Sequence, residues 1–331
     1  MPVGKETVMK LFALDASRSF GEGIAAALEV PLARHEERGF EDGEHKARPL
    51  EVVRGADVYV VQGLHGDPSQ SANDKLCRLL FFIACLRDCA AARVTAVVPY
   101  LAYGRKDRRT KPRDPITTRY LAQLFEAVGT DAVVTLDVHN VAAFENAYRC
   151  RSVPLDSRRL FAPRLKELVG GDPVVIASPD PGGVKRAQLF RESFERLLGR
   201  PVGAAFLDKR RSGGVVSGDL LVGEVAGAVV VVVDDLISTG GTMRRAAEAC
   251  LAQGAARVVA VAAHGLFTGE AARTIAAPSL ARVLVSDTVP PFRLPPSLLQ
   301  ERVEVITAVP LFAEAIRRLH GGGSITALLE G

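Results

Sequence analysis

Two carboxylates close the apolar run AVVVVVDDLISTGGTM, Ala228–Met243. Asp234 and Asp235 follow five consecutive valines, and Ser238, Thr239, Gly240, Gly241 and Thr242 then lead into an apolar helical stripe. The glycines let a ligand approach the backbone closely. N–H groups at a helix start, the helix dipole and three hydroxyls suit a phosphate. The two acids would repel that phosphate, so they must serve another part of the same ligand. A vicinal diol is the natural candidate, because a carboxylate can accept two hydrogen bonds from it. A sugar phosphate satisfies both halves. The plain alternative is an Asp-Asp turn with ordinary helix capping.

Such a loop needs a parallel sheet to hold it, since ligands gather beyond the carboxyl ends of parallel strands. Seven short runs read as strands: Val58–Gln62, Val94–Val98, Ala132–Leu136, Val174–Ala177, Ala228–Val233, Val258–Ala263 and Arg282–Ser286. They are apolar throughout rather than alternating, as strands buried on both faces are. Helical patterns separate them. Leu76, Leu79, Leu80 and Ile83 recur at helical spacing, and Met243, Ala246, Ala247, Cys250 and Leu251 form another stripe. Asp114-Pro115 reads as an N-cap and first position for a helix over Thr117–Val128. The alternation predicts an α/β fold with two mainly parallel sheets flanked by helices. The proline-bearing segment CRSVPLDS divides the chain into a first domain over 1–150 and a second over 151–331.

The 331 residues are 48% hydrophobic and 24% charged, with a net charge of +4, so a sizeable core is affordable and anionic ligands suit the chain. No run of about 18 apolar residues predicts a membrane span, and the N-terminus lacks a signal-peptide stretch. With no tryptophan and 6% aromatics, stacking platforms for nucleic acid are poorly supplied. Five scattered cysteines fit a reducing cytoplasm. Cys77, Cys85 and Cys89 could share a helix face, read as core packing before a metal site. There is no GxxxxGK[ST]. Gly21-x-Gly23-x-x-Ala26 mimics a dinucleotide fingerprint but reads as a helix start.

The loop resembles the phosphoribosyl-diphosphate (PRPP) loop shared by phosphoribosyltransferases and ribose-phosphate pyrophosphokinases. Five further segments resemble the pyrophosphokinases, in order and over nearly the whole chain. They are Phe40-Glu41-Asp42-Gly43-Glu44, Tyr103–Arg109 followed by Pro115-Ile116-Thr117, Asp137-Val138-His139, Ser178–Arg186 (SPDPGGVKR), and Asp208-Lys209-Arg210-Arg211.

The resemblance implies two phosphoribosyltransferase-like domains, with the last helix a candidate to pack back on the first. It implies transfer of the diphosphoryl group of Mg-ATP to ribose 5-phosphate, a kinase step of nucleotide biosynthesis. Such transfer needs positioning and charge neutralisation more than covalent chemistry. ATP contacts fall to Arg105, Lys106 and Asp107, within a run holding six cations in the nine residues 105–113. Read alone, that run is a solvated loop or a nucleic-acid patch. Phe40, Asp42 and Glu44 would receive the adenine across a subunit contact, so the resemblance implies a homo-oligomer, a dimer at least and a hexamer at the larger end. His139 and Asp180 would bind Mg²⁺, although one histidine is atypical for that ion. Asp234, Asp235 and Ser238–Thr242 would take ribose 5-phosphate. Lys209 and Arg211, in DKRRSGGVVSGD, would ride a glycine-bearing flap and neutralise the transition state.

Two departures stand out. The segment after Asp137-Val138-His139 is NVAAFENAYRC, where the family usually ends Q-G-F-F, which bears on phosphate and ADP regulation. Ser238-Thr239-Gly240 replaces D-T-A. Two other readings stay open: a transferase consuming PRPP, and a non-catalytic synthetase-like regulatory subunit.

Overall fold

The computed structural model describes the backbone of residues 7–212 and 215–330, and the side chains of these except 209–219 and 330. The chain forms two compact units, Met1–Asp156 with Ala308–Gly331, and Ser157–Thr307.

The first unit runs β1 (Met9–Ala13), α1 (Arg18–Leu28), β2 (His35–Gly39), β3 (His45–Pro49), β4 (Asp57–Val61), α2 (Ala72–Asp88), β5 (Arg93–Val97), α3 (Thr117–Ala127), β6 (Ala132–Leu136), α4 (Val141–Ala147) and β7 (Arg151–Leu155). Five strands make a parallel sheet in the order β1-β4-β5-β6-β7, and β2 and β3 pair as a separate antiparallel hairpin. One sheet face carries Val58, Val60, Val94, Ala96 and Val133 against Leu79 and Ile83 of α2 and Leu121 and Phe125 of α3. Residues 151–155, which the sequence division assigns to the second domain, are the edge strand of this sheet. Pro154 is tolerated there because an edge strand has a side without ladder bonds.

Several local expectations change. Ser71 and Asp74 form a reciprocal capping box for α2. Asp114 does not cap α3, whose N-cap is Ile116 without a side-chain bond. Asp114 instead turns back onto its own loop. Gly21 and Gly23 lie inside α1, not at its start. A Cβ on Gly21 would meet the Ala13 Cβ at 2.2 Å, so that glycine serves close packing of helix on strand. Cys77 and Cys89 are exposed and Cys85 is half-buried, so the α2 cysteines are not core.

The second unit continues with α5 (Arg158–Val169), β8 (Val174–Ser178), α6 (Val184–Leu198), β9 (Gly203–Ser212), β10 (Val215–Val222), β11 (Val229–Ile237), α7 (Gly241–Ala252), β12 (Arg257–Gly265), α8 (Ala271–Ile275), β13 (Arg282–Ser286), α9 (Pro296–Glu301) and β14 (Val303–Ile306). The sheet order is β10-β9-β8-β11-β12-β13-β14, and only the β9–β10 pair is antiparallel. Val229, Val231 and Val233 pack with Phe161, Phe190 and Phe194, while Val230 and Val232 pack on the other face with Met243, Ala246 and Cys250. The valine run is therefore buried on both faces, because β11 is central. The chain winds outward from β8 through β9 on one side and from β11 through β14 on the other. The winding reverses between β8 and β11, which places the ligand crevice of such a sheet beyond their carboxyl ends.

Two helices, α10 (Val309–Gly321) and α11 (Ile325–Glu330), belong to the first unit. α10 lies along α1, with the rings of Phe20 and Phe312 edge-on at 5.5 Å. Its end is tied down by charge. The Asp57 carboxylate, almost wholly buried, accepts from Arg93 Nε at 2.7 Å, Tyr59 Oη at 2.9 Å and His320 Nδ1 at 2.7 Å, and Arg93 also donates to the Leu319 carbonyl.

Candidate functional site

The acid pair and the hydroxyl loop occupy the carboxyl end of β11. Asp235 is 4% exposed, and Asp234 is partly buried. Arg186, in the first turn of α6, places its Nη1 3.2 Å from Asp234 Oδ1 and 3.5 Å from Asp235 Oδ1. The same Asp234 oxygen accepts the Asp235 backbone N–H at 2.8 Å. Burial and the neighbouring Asp235 charge push the Asp234 carboxyl well above the usual carboxylate range, and Arg186 pulls against them.

The loop is shaped for an anion. Gly240, the N-cap of α7, sits at φ 76°, where a side chain is strained, and a Cβ there would come within 3.0 Å of Thr274 Cγ2. A glycine cap brings no side-chain acceptor to the first turn of α7, so its N–H groups stay available to a ligand. Ser238 is braced by Thr268, Oγ to Oγ1 at 2.8 Å, and its carbonyl accepts the Thr268 N–H at 3.0 Å. Thr239 is exposed and Thr242 half-buried.

Asp180 follows β8, the strand beside β11 in the sheet. Its Oδ1 accepts the Gly183 N–H at 3.1 Å and so caps the 3-10 turn Pro181–Gly183. A Cβ on Gly183 would strike Ser178 Oγ at 2.6 Å, which explains that glycine. Asp180 remains partly exposed. Lys209 and Arg211 lie on the backbone of β9 opposite Asp219 and Val216 of β10, with a register shift between those two partners. Their side chains, and Gly213-Gly214 of the expected flap, fall outside the described residues.

The first unit carries the remaining expected residues. Phe40, Asp42 and Glu44 form the exposed tip of the β2–β3 hairpin. Asp42 Oδ1 accepts the Glu44 N–H at 3.0 Å, and the Arg38 guanidinium lies 5.1 Å from the Phe40 ring centre. The cationic loop after β5 is pinned to α3 by the Thr117 and Thr118 hydroxyls, which donate to the carbonyls of Tyr103 and Lys106. Arg105 is exposed. Lys106 Nζ is engaged within its loop, 2.5 Å from Asp114 Oδ2 and 2.9 Å from Thr110 Oγ1. That hydrogen bond from Lys106 holds the Asp114 carboxyl far below the carboxylate range. Asp107 accepts from Asn140 Nδ2 at 2.7 Å, and Asn140 also caps α4. His139, beside it, is exposed.

Among the described residues, Asp15, His35 and Glu37 place possible metal ligands within 4.8 Å of one another. Arg18 and Arg78 already stand on the two carboxylates, at 2.7 Å and 3.5 Å, so the group is an ion-pair network. Sequence reasoning missed Arg186 and Thr268 beside the acid pair and its loop, and Asn140 beside Asp107. Arg186 closes the quoted SPDPGGVKR, and its signal is a cation in the first helical turn, where the dipole disfavours one. Nothing local marks Thr268.

An α/β molecule of two units, each a parallel or mainly parallel sheet flanked by helices, is the class this fold defines. Residues 9–129 match the N-terminal domain of ribose phosphate pyrophosphokinase, and residues 218–330 match the phosphoribosyl synthetase-associated domain. The ribose-phosphate pyrophosphokinase of Caldanaerobacter subterraneus subsp. tengcongensis is 38% identical over 329 residues, covering 97% of each chain. That of Pasteurella multocida is 37% identical, covering 97% of this chain and 98% of its own. The crystal structure of phosphoribosylpyrophosphate synthetase from Mycobacterium smegmatis superimposes with a TM-score of 0.85 at 29% identity, over 96% of this chain and 100% of that one. The chain belongs to the ribose-phosphate pyrophosphokinase family.

Proposed function

We propose that this protein is a ribose-phosphate diphosphokinase, which converts Mg-ATP and ribose 5-phosphate to PRPP and AMP. The sugar 1-hydroxyl attacks the β-phosphorus, the new O1–Pβ bond replaces the bond from Pβ to the α-phosphate oxygen, AMP leaves, and the hydroxyl proton passes to solvent. The observation that carries this reading is the acid pair beside the glycine-capped α7 at the point where the sheet reverses its winding. Asp234 and Asp235 accept the ribose hydroxyls, and the 5-phosphate sits on the N–H groups and hydroxyls of residues 238–242.

The nucleotide is the task of the first unit. Arg105 and Asp107 lie on the loop braced by Thr117, Thr118 and Asn140, and Lys106 reaches a phosphate by leaving Asp114. The exposed Phe40–Glu44 tip takes the adenine of a partner subunit, so the working protein is at least a dimer. Lys209 and Arg211 stabilise charge on the transferring diphosphoryl group. For Mg²⁺, Asp180 fits: it is a hard oxygen donor, partly exposed, with one oxygen fixed by Gly183. His139 suits a phosphate or a magnesium-bound water better than direct ligation. Bound magnesium would neutralise phosphate charge and polarise the transferring group. The setting is cytoplasmic; among the described residues no helix is long and apolar enough to cross a membrane.

Position-labelled ATP tests the reaction. Label from the β- and γ-phosphates should both reach the sugar, while the α-label stays on AMP. Label from the γ-phosphate alone would mean monophosphoryl transfer and overturn the reading.

A further inference from the structure

Arg186 sits where the dipole of α6 works against it, in the first turn of a fifteen-residue helix. Its surroundings offset that. One guanidinium nitrogen lies within 3.5 Å of carboxylate oxygens from both Asp234 and Asp235. Successive strand residues ordinarily send their side chains to opposite faces. A single nitrogen reaching both acids is therefore notable near the carboxyl end of β11, where Asp234 and Leu236 pair with Ala262 and His264 of β12 and the register passes over Asp235 between them. The Arg186 side chain is 20% exposed, so the contact is shielded from water and screened little by salt.

We infer that Arg186 is the positioning residue of the sugar site, holding the Asp234 and Asp235 carboxylates in the one arrangement that can accept a vicinal diol. The inference rests on the reading of those acids as ribose acceptors and adds what lets them act as a pair. Two adjacent, poorly hydrated carboxylates repel each other. Without a shared cation one of them turns away or takes a proton, and a protonated carboxyl donates where the sugar hydroxyl needs an acceptor. The phosphate end of the ligand is held separately, by residues 238–242. Loss of Arg186 should therefore erase recognition of the hydroxyls and leave recognition of the phosphate.

The test compares kcat/KM for ribose 5-phosphate and 2-deoxyribose 5-phosphate at saturating Mg-ATP. The native protein should favour the ribose by a factor on the order of 10², the value of a hydrogen bond to a charged acceptor. Arg186→Gln should collapse that preference to within about threefold, through the KM for ribose 5-phosphate more than through kcat. Arg186→Lys, which keeps the charge without the fork, should restore part of it. A native protein that does not discriminate sinks the acid-pair reading and this inference with it. Discrimination in the native protein that persists in Arg186→Gln, with both sugars losing activity alike, leaves the acid pair standing and overturns the role of Arg186. Should Arg186→Gln fail to fold, the lysine variant decides: an intermediate preference supports the inference, and an unchanged preference with a lowered melting temperature overturns it.

Discussion

At the scale of single residues, the proposed sugar site is built at a cost to stability. Burial and the Asp235 charge raise the Asp234 carboxyl above its ordinary range, so folding disfavours its ionised form relative to the unfolded chain. A group with a raised folded-state pKa contributes stability below its unfolded pKa and loses it as pH rises through the folded one. Above its unfolded pKa, Asp234 therefore weakens the free protein. Asp234→Asn should raise the melting temperature at pH 7 while raising the KM for ribose 5-phosphate; a lower melting temperature would contradict the assigned direction. Lys209 carries a different expectation. Lys209→Ala should reduce kcat by roughly 10²–10³, the usual loss on removing one group that stabilises transition-state charge, with ribose 5-phosphate binding little changed. Steady-state kinetics with direct binding measurements separates the two. Unaltered turnover would remove Lys209 from the mechanism.

At the scale of elements, the loop between β11 and α7 depends on one backbone conformation. Gly240 at φ 76° closes the turn and caps the helix, with Thr274 of α8 against it. Gly240→Ala should cost about 1–2 kcal/mol from the left-handed conformation, with a further penalty from the Thr274 contact. It should also raise the KM for ribose 5-phosphate, because the N–H groups proposed to hold the phosphate are displaced. Thermal melting and substrate titration measure both, and unchanged values would show that the turn tolerates a side chain. The core strands were legible because burial on both faces leaves an uninterrupted apolar run, as in Val229–Val233. The acid pair and the loop were legible because their chemistry is contiguous in the chain. Asp114 was misread as a cap: proline at the next position imitates an N-terminus, yet the carboxylate finds stronger donors in Lys106 and Thr110. Arg186 acts on residues 48 positions away, so no local pattern states its purpose. The β2–β3 hairpin, HEERG and HKARP, is mostly polar and charged, and its few apolar residues, such as Ala47, are too small to mark a strand.

At the scale of the whole molecule, the division of the chain into units hides a return. Residues from Ala308 onward rejoin the first unit, and their anchor is the Asp57 cluster. Burial alone would raise the Asp57 carboxyl. The hydrogen bonds from Arg93, His320 and Tyr59 outweigh it and hold the group below its ordinary value. A depressed carboxylate contributes stability above its unfolded pKa, about 4, and loses it as pH falls through the folded value. The native melting temperature should therefore fall on acidification below about pH 4, with a weaker fall in Asp57→Asn. Arg93→Ala should cost about 3–5 kcal/mol, because it strips the main counter-charge from a buried carboxylate. A neutral effect would show that His320 and Tyr59 suffice. Gly23 belongs to the same scale: a Cβ there would come within 3.0 Å of Val309, a contact that exists only once α10 has folded back on α1.

The most direct measurement is chromatographic. The protein is incubated with Mg-ATP, with and without ribose 5-phosphate, and AMP is separated from ADP. AMP that forms only in the presence of the sugar phosphate, in equal amount with PRPP, is the expected result. ADP in its place would make the protein a simple kinase, and no nucleotide product in either tube would contradict the catalytic reading altogether.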